Sequence, residues 1–121
     1  MKIHKIDTNK KIVLIDGGYN VGSYTKSFID INPNCVKVFG FEPMRFDNQF
    51  MSSKVTLINK AIWTNNEVRK FFISDNPEAC SLIKSRRVNK NEFLNVECID
   101  FSKWLIDNFN KNEYYIHLKL D

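Results

Sequence analysis

The chain has few of the residues that mark a specialised class of protein. Its 121 residues include three cysteines, Cys35, Cys80 and Cys98, an odd number at wide separations with no Cys-x-x-Cys pair. Only His4 and His117 could join them, so the sequence predicts neither a disulfide framework nor a metal site; reduced, mostly buried thiols are expected. Long hydrophobic runs are also missing. The longest aliphatic one, Ile12-Val13-Leu14-Ile15, falls far short of the ~18 residues a membrane helix needs. Asp7, Thr8, Asn9 and Lys10 stand where a signal peptide needs its apolar segment, so a soluble cytoplasmic protein with no membrane partner is expected. Three prolines and four glycines are too few for a fibrous or low-complexity chain.

What is present is an ordinary globular mixture, 43% apolar and 26% charged, long enough for one domain over residues 1–121 with a small core. The net charge of +4 comes mostly from scattered lysines and argues only weakly for an anionic partner. One basic cluster stands out, Lys84-Ser85-Arg86-Arg87-Val88-Asn89-Lys90. Only Phe93 lies close enough to add stacking, so the cluster argues against nucleic acid and for a solvated loop or a lid over a small acceptor.

The order of elements predicts the fold class. Lys11 to Ile15 reads as a buried strand, followed by a Gly- and Asn-rich turn. A helix then carries Val21, Tyr24, Phe28 and Ile31 at helical spacing and stops at Asn32-Pro33. Val36 to Phe41 is a second strand, Glu42-Pro43 opens a second helix, and Val55 to Ile58 begins a third strand. Val68 to Ser74 and Leu94 to Ile99 then read as strands with no helix between them. Asp100 is placed to cap a helix with Phe101, Trp104, Leu105 and Phe109 on one face, and Tyr114 to Leu120 is a last apolar strand. Strand–helix–strand–helix–strand predicts an α/β fold with a parallel sheet and crossover helices, together with an additional strand pair. The last strand would be an exposed apolar edge, which natural proteins usually avoid. On that ground the sheet is expected to be cut short after its fourth core strand, with an edge through which two copies could pair as a homodimer.

The turn Asp16-Gly17-Gly18-Tyr19-Asn20-Val21-Gly22 restricts the ligand. Gly17, Gly18 and Gly22 do not fit Gly-x-Gly-x-x-Gly. Gly17 and Gly22 have the spacing of a phosphate loop but are followed by Ser23-Tyr24, without its lysine. What remains is Asp-x-Gly-x-Asn-x-Gly after a strand, with Glu42 at the end of the next strand, 24 residues beyond Gly18. A carboxylate there can accept from two ribose hydroxyls and would repel a 2′-phosphate. Asp16 could order the turn or take a cationic amino group. A ligand with a ribose, an ammonium group and no phosphate fits, and S-adenosylmethionine is that ligand.

This arrangement resembles class I S-adenosylmethionine-dependent methyltransferases, and among them the FkbM-type family. The similarity rests on the segments Ile15 to Thr25, Val38 to Pro43, Asn59 to Ile62, Ala79-Cys80-Ser81-Leu82 and His117-Leu118-Lys119-Leu120-Asp121. The resemblance implies a Rossmann-like fold and methyl transfer to a hydroxyl of a sugar, glycan or small metabolite. It implies cofactor contacts from Asp16, Gly18, Asn20, Gly22, Ser23, Glu42, Asn59, Ala61 and Ser81, and Asp121 as the base. Three features depart from the family: Gly17, Tyr19 in place of a small residue, which would narrow the loop, and no Glu-Gly after Asp121.

Plainer readings stand beside these. The turn by itself is an ordinary strand-to-helix connection using Gly and Asn for left-handed backbone. Glu42 could be a solvated strand end, Ser81 a loop residue and Asp121 a frayed terminus. The alternative function is a truncated remnant that at most binds S-adenosylmethionine or S-adenosylhomocysteine without turnover. A dehydrogenase-like nucleotide domain comes third, and the glycine spacing argues against it.

Overall fold

A computed structural model of the chain describes residues 2–73, 80, 82, 92–109 and 113–121. Ser74, Ala79, Ser81 and the basic run 84–90 lie outside the described residues. The elements run β1 (Lys11–Gly17), α1 (Ser23–Ile31), β2 (Cys35–Phe41), β3 (Val55–Ile58), β4 (Ala61–Trp63), β5 (Glu67–Phe72), β6 (Phe93–Asp100), α2 (Phe101–Asn108) and β7 (Tyr114–Leu120). The fold is α/β, as the element order predicts. Four strands form a parallel sheet in the order β3-β2-β1-β7, and β4, β6 and β5 form a mixed three-stranded sheet.

β1 is an inner strand of the parallel sheet and is buried from Ile12 to Gly17. Buried on both faces, it reads as a continuous apolar run rather than an alternating one. Its side chains alternate between two layers. Ile12 and Leu14 pack with Phe28 of α1, Cys35 and Val38. Ile15 packs on the other side with Phe41 and Phe101, next to Trp104 and Leu105 of α2. Trp104 sets α2 on β2 by edge-on contacts with Phe39 (centroids 5.1 Å apart) and Phe41 (4.9 Å). Asp100 caps α2 as its sequence position predicts, its Oδ1 accepting from the Lys103 N–H at 3.1 Å.

One expectation fails and another is extended. No helix follows Glu42-Pro43: the stretch between β2 and β3 is irregular. Phe46 and Phe50 stand on the opposite side of a helical wheel from Met44 and Met51, so no single apolar face forms, and the stretch bonds to the glycine turn instead. The Phe50 N–H donates to Val21 O (2.7 Å), and Gln49 Nε2 donates to Asn20 O (2.9 Å). The expected strand pair β5–β6 forms antiparallel, but it gains a third member: β4 leaves the line of β3 after only Asn59-Lys60 and pairs parallel with β6.

β7 lies at the sheet edge, with Tyr114, Tyr115, Ile116, Leu118 and Leu120 exposed. Among the described residues no helix is long and apolar enough to cross a membrane. β1 to β3 step outward on one side of β1, and β7 returns to its other side. In open α/β sheets, ligands bind beyond the carboxyl ends of the strands at such a reversal.

Candidate functional site

The turn after β1 is shaped by three left-handed residues, Gly18 (φ 82°), Asn20 (φ 54°) and Gly22 (φ 87°). Glycine and asparagine are the residues that adopt this backbone at least cost. Four of the turn's amides are consumed within the protein. Gly18 and Tyr19 both donate to Phe41 O at 3.0 Å, Gly22 donates to Tyr19 O at 2.9 Å, and Asn20 donates to Glu42 Oε1 at 2.8 Å. A phosphate cradle needs such donors free, so these four amides offer a phosphate nothing.

The carbonyls of the same turn face a cation. Lys119 Nζ, near the end of β7, lies 3.0 Å from Gly18 O and 3.4 Å from Gly17 O. It also forms ion pairs with Asp16 Oδ1 at 3.1 Å and Asp121 Oδ2 at 2.8 Å. Asp16 is fully buried at the end of β1, and its Oδ2 accepts from the Thr25 hydroxyl at 2.6 Å, which fixes α1 to the strand. Burial pushes the Asp16 carboxyl above its ordinary range, against the opposing pull of Thr25 and Lys119. For Lys119, burial is the largest single influence and favours the neutral amine. The carboxylates of Asp121 and Asp16 together outweigh it, and its pKa is raised.

Tyr19 does not narrow the turn as its bulk leads one to expect. Its ring is buried beneath the turn among Phe28, Val38 and Val55, and its hydroxyl donates to Phe50 O. Gly40 makes this possible, since a Cβ on Gly40 would run into the Tyr19 ring.

Glu42 follows β2 and is 6% exposed. Its second oxygen accepts from the Met44 N–H at 3.1 Å, so each oxygen holds one backbone donor and keeps a lone pair for another. Burial raises its pKa, opposed by Met44, Asn20 and Lys119. Ionised Glu42 therefore costs the folded state near neutrality, and the cost vanishes as pH falls through the raised folded value toward the ordinary 4.5. Relative to Glu42→Gln, wild type is expected to gain stability between about pH 7 and about pH 5. Calorimetric Tm values at both pH settings check this. The altered hydrogen bonding of the glutamine gives a constant offset, so a Tm difference independent of pH rejects the assignment.

These groups border a cleft of about 870 Å³ at the carboxyl ends of β1, β2 and β7. Gly18, Asn20, Ser23, Glu42, Ala61 and Asp121 line it, together with Lys119 and an apolar end made by Phe41, Ile62, Trp63, Phe71 and Leu82. Asp16 lies beneath Lys119, and Gly22 shapes the turn from behind, where a Cβ would run into the Tyr19 ring and hydroxyl. Asn59 is exposed and donates to Glu42 O at 3.3 Å, off the cleft wall. Ser81 is outside the described residues.

Lys119 is the residue that the sequence reading passed over. Its signal was cross-strand: in the parallel pairing of β1 with β7, Lys119 is the direct neighbour of Asp16. Once β7 is set beside β1, an opposite-charge pair at the strand ends follows. Compared with family models, curated proteins and solved structures, the chain matches none.

Proposed function

We propose that this chain is a Rossmann-like domain of the class I methyltransferase type, similar to the FkbM-type family. In this reading it transfers a methyl group from S-adenosylmethionine to a hydroxyl of a sugar, glycan or small metabolite in the cytoplasm. The observation that carries the reading is Glu42: a buried carboxylate held by two backbone amides at the wall of a cleft that has an apolar end. The strand order, with its reversal between β1 and β7, supports the fold assignment.

The residues present fit the cofactor's chemistry. Lys119 is paired with Asp16, Asp121 and two turn carbonyls, so this end of the cleft presents both signs of charge and suits a zwitterionic amino-acid group. Glu42 would accept from the ribose hydroxyls, and Ala61, Ile62 and Phe71 would pack on the adenine. When bound, S-adenosylmethionine supplies an electrophilic methyl on a sulfonium. The protein's own work is to hold the acceptor hydroxyl in line and take its proton, and Asp121, 66% exposed at the mouth, is the base in position to do so.

Calorimetry with S-adenosylhomocysteine tests the reading. Glu42→Ala is expected to weaken binding at least about tenfold, the effect of losing hydrogen bonds to a charged acceptor. Unchanged affinity removes the ribose role, and tighter binding of NAD overturns the cofactor. A second reading, binding without turnover, is favoured by the ion pair at 2.8 Å that ties Asp121 to Lys119.

A further inference from the structure

Lys119 is the one cation among the described residues that line the cleft. An ammonium has three N–H donors, and the four oxygens around Nζ exhaust them. Those partners are held with very different firmness. Asp16 is fully buried and fixed by Thr25, and the two carbonyls belong to the turn itself. The Asp121 side chain is 66% exposed, so its carboxylate can return to water at little cost.

We propose that Lys119 is the specificity residue for an amino-acid carboxylate: the ligand's α-carboxylate takes the place of Asp121 on Lys119 Nζ. The proposal rests on the S-adenosylmethionine reading and deepens it. One carboxylate replaces another, so the charge around Lys119 stays constant. Without the exchange, a ligand carboxylate would enter beside Glu42, Asp16 and Asp121 with no unpaired cation among the described lining residues to receive it. The exchange also releases Asp121 at the mouth, where it is free to accept a proton only once the amino-acid moiety is seated. A ligand that lacks the carboxylate gains nothing from Lys119 and leaves Asp121 where it is.

Three probes on the full chain test this. They are S-adenosylhomocysteine, its decarboxylated counterpart S-adenosyl-3-thiopropylamine, and 5′-methylthioadenosine, which has neither charged group. In wild type, the carboxyl carbon resonance of Asp121 is expected to move on saturation with S-adenosylhomocysteine and to stay with the thiopropylamine. A resonance that S-adenosylhomocysteine leaves in place, or that both ligands move alike, overturns the exchange. Lys119→Met is expected to lose at least about tenfold in its preference for S-adenosylhomocysteine over the thiopropylamine. Retained methylthioadenosine affinity shows that the variant is folded. A retained preference in that folded variant overturns the role of Lys119. If neither S-adenosylhomocysteine nor methylthioadenosine binds wild type, the cofactor reading itself falls, and the exchange with it.

Discussion

Tyr19→Ala is expected to lower stability by about 3–5 kcal/mol, the range for removing a large buried aromatic. The ring is 2% exposed, lies in the core with Phe28 and Val38, and carries a hydroxyl bonded to Phe50 O. Burial, with the Asp16 charge adding to it, holds that hydroxyl's pKa up at about 12, so it stays protonated and donating at any working pH. Truncation leaves a cavity under the glycine turn and an orphaned carbonyl. Tyr19→Phe keeps the ring and is expected to cost only about 1 kcal/mol. Gly40→Ala, by contrast, drives a methyl into the ring and is expected to cost about 1–3 kcal/mol by overpacking. In the double variant the new methyl occupies part of the space the ring has left. The two penalties should then fall short of their sum by about 1 kcal/mol or more in a urea-denaturation cycle. Strict additivity would mean that Tyr19 and Gly40 do not share the space assigned to them.

That pair also shows where sequence reasoning reached its limit. The turn itself was legible, because Gly18, Asn20 and Gly22 are the residue types that left-handed backbone demands. β1 was legible as an aliphatic run, and α2 through Asp100 and the spacing of Phe101, Trp104 and Leu105. Tyr19 read as an obstruction, since nothing local reveals that Gly40, on the neighbouring strand, opens a slot for its ring. The failed helix after Pro43 has the same origin. A favourable helix start says nothing about whether the following backbone will find better partners, and here Gln49 and Phe50 bond to the turn. β4 was hidden because two residues separate it from β3, so one apolar run serves two sheets. Of the candidate site, Glu42 and the turn were visible as local motifs. Lys119 was not, because its role depends on which strand β7 joins.

Lys119→Met is expected to cost about 3–5 kcal/mol near neutral pH, the effect of stripping the partner from a buried charge. The methionine keeps the unbranched stem of the side chain, one atom shorter, beside Tyr24, whose ring centroid lies 5.4 Å from the wild-type ammonium. What it removes is the compensation for Asp16, which has no exposure to water and keeps only the Thr25 hydroxyl. Asp16 is already raised above 3.8 by burial in wild type, and losing the opposing pull of Lys119 raises it further. The penalty of the variant is therefore present above that raised folded value and is relieved as pH falls through it, when Asp16 takes up a proton. Denaturant titrations at about pH 7 and about pH 5 should show the gap between wild type and Lys119→Met narrowing on the acid side. Adding Asp16→Asn removes the orphaned charge while keeping an acceptor for Thr25. The double variant is expected to recover most of the loss and to show little of the pH dependence. If Asp16→Asn recovers nothing, Lys119 matters to stability through packing or through the turn carbonyls alone. The charge pair would then contribute only to the electrostatics of the cleft, and the ends of β1 and β7 would be held together without it.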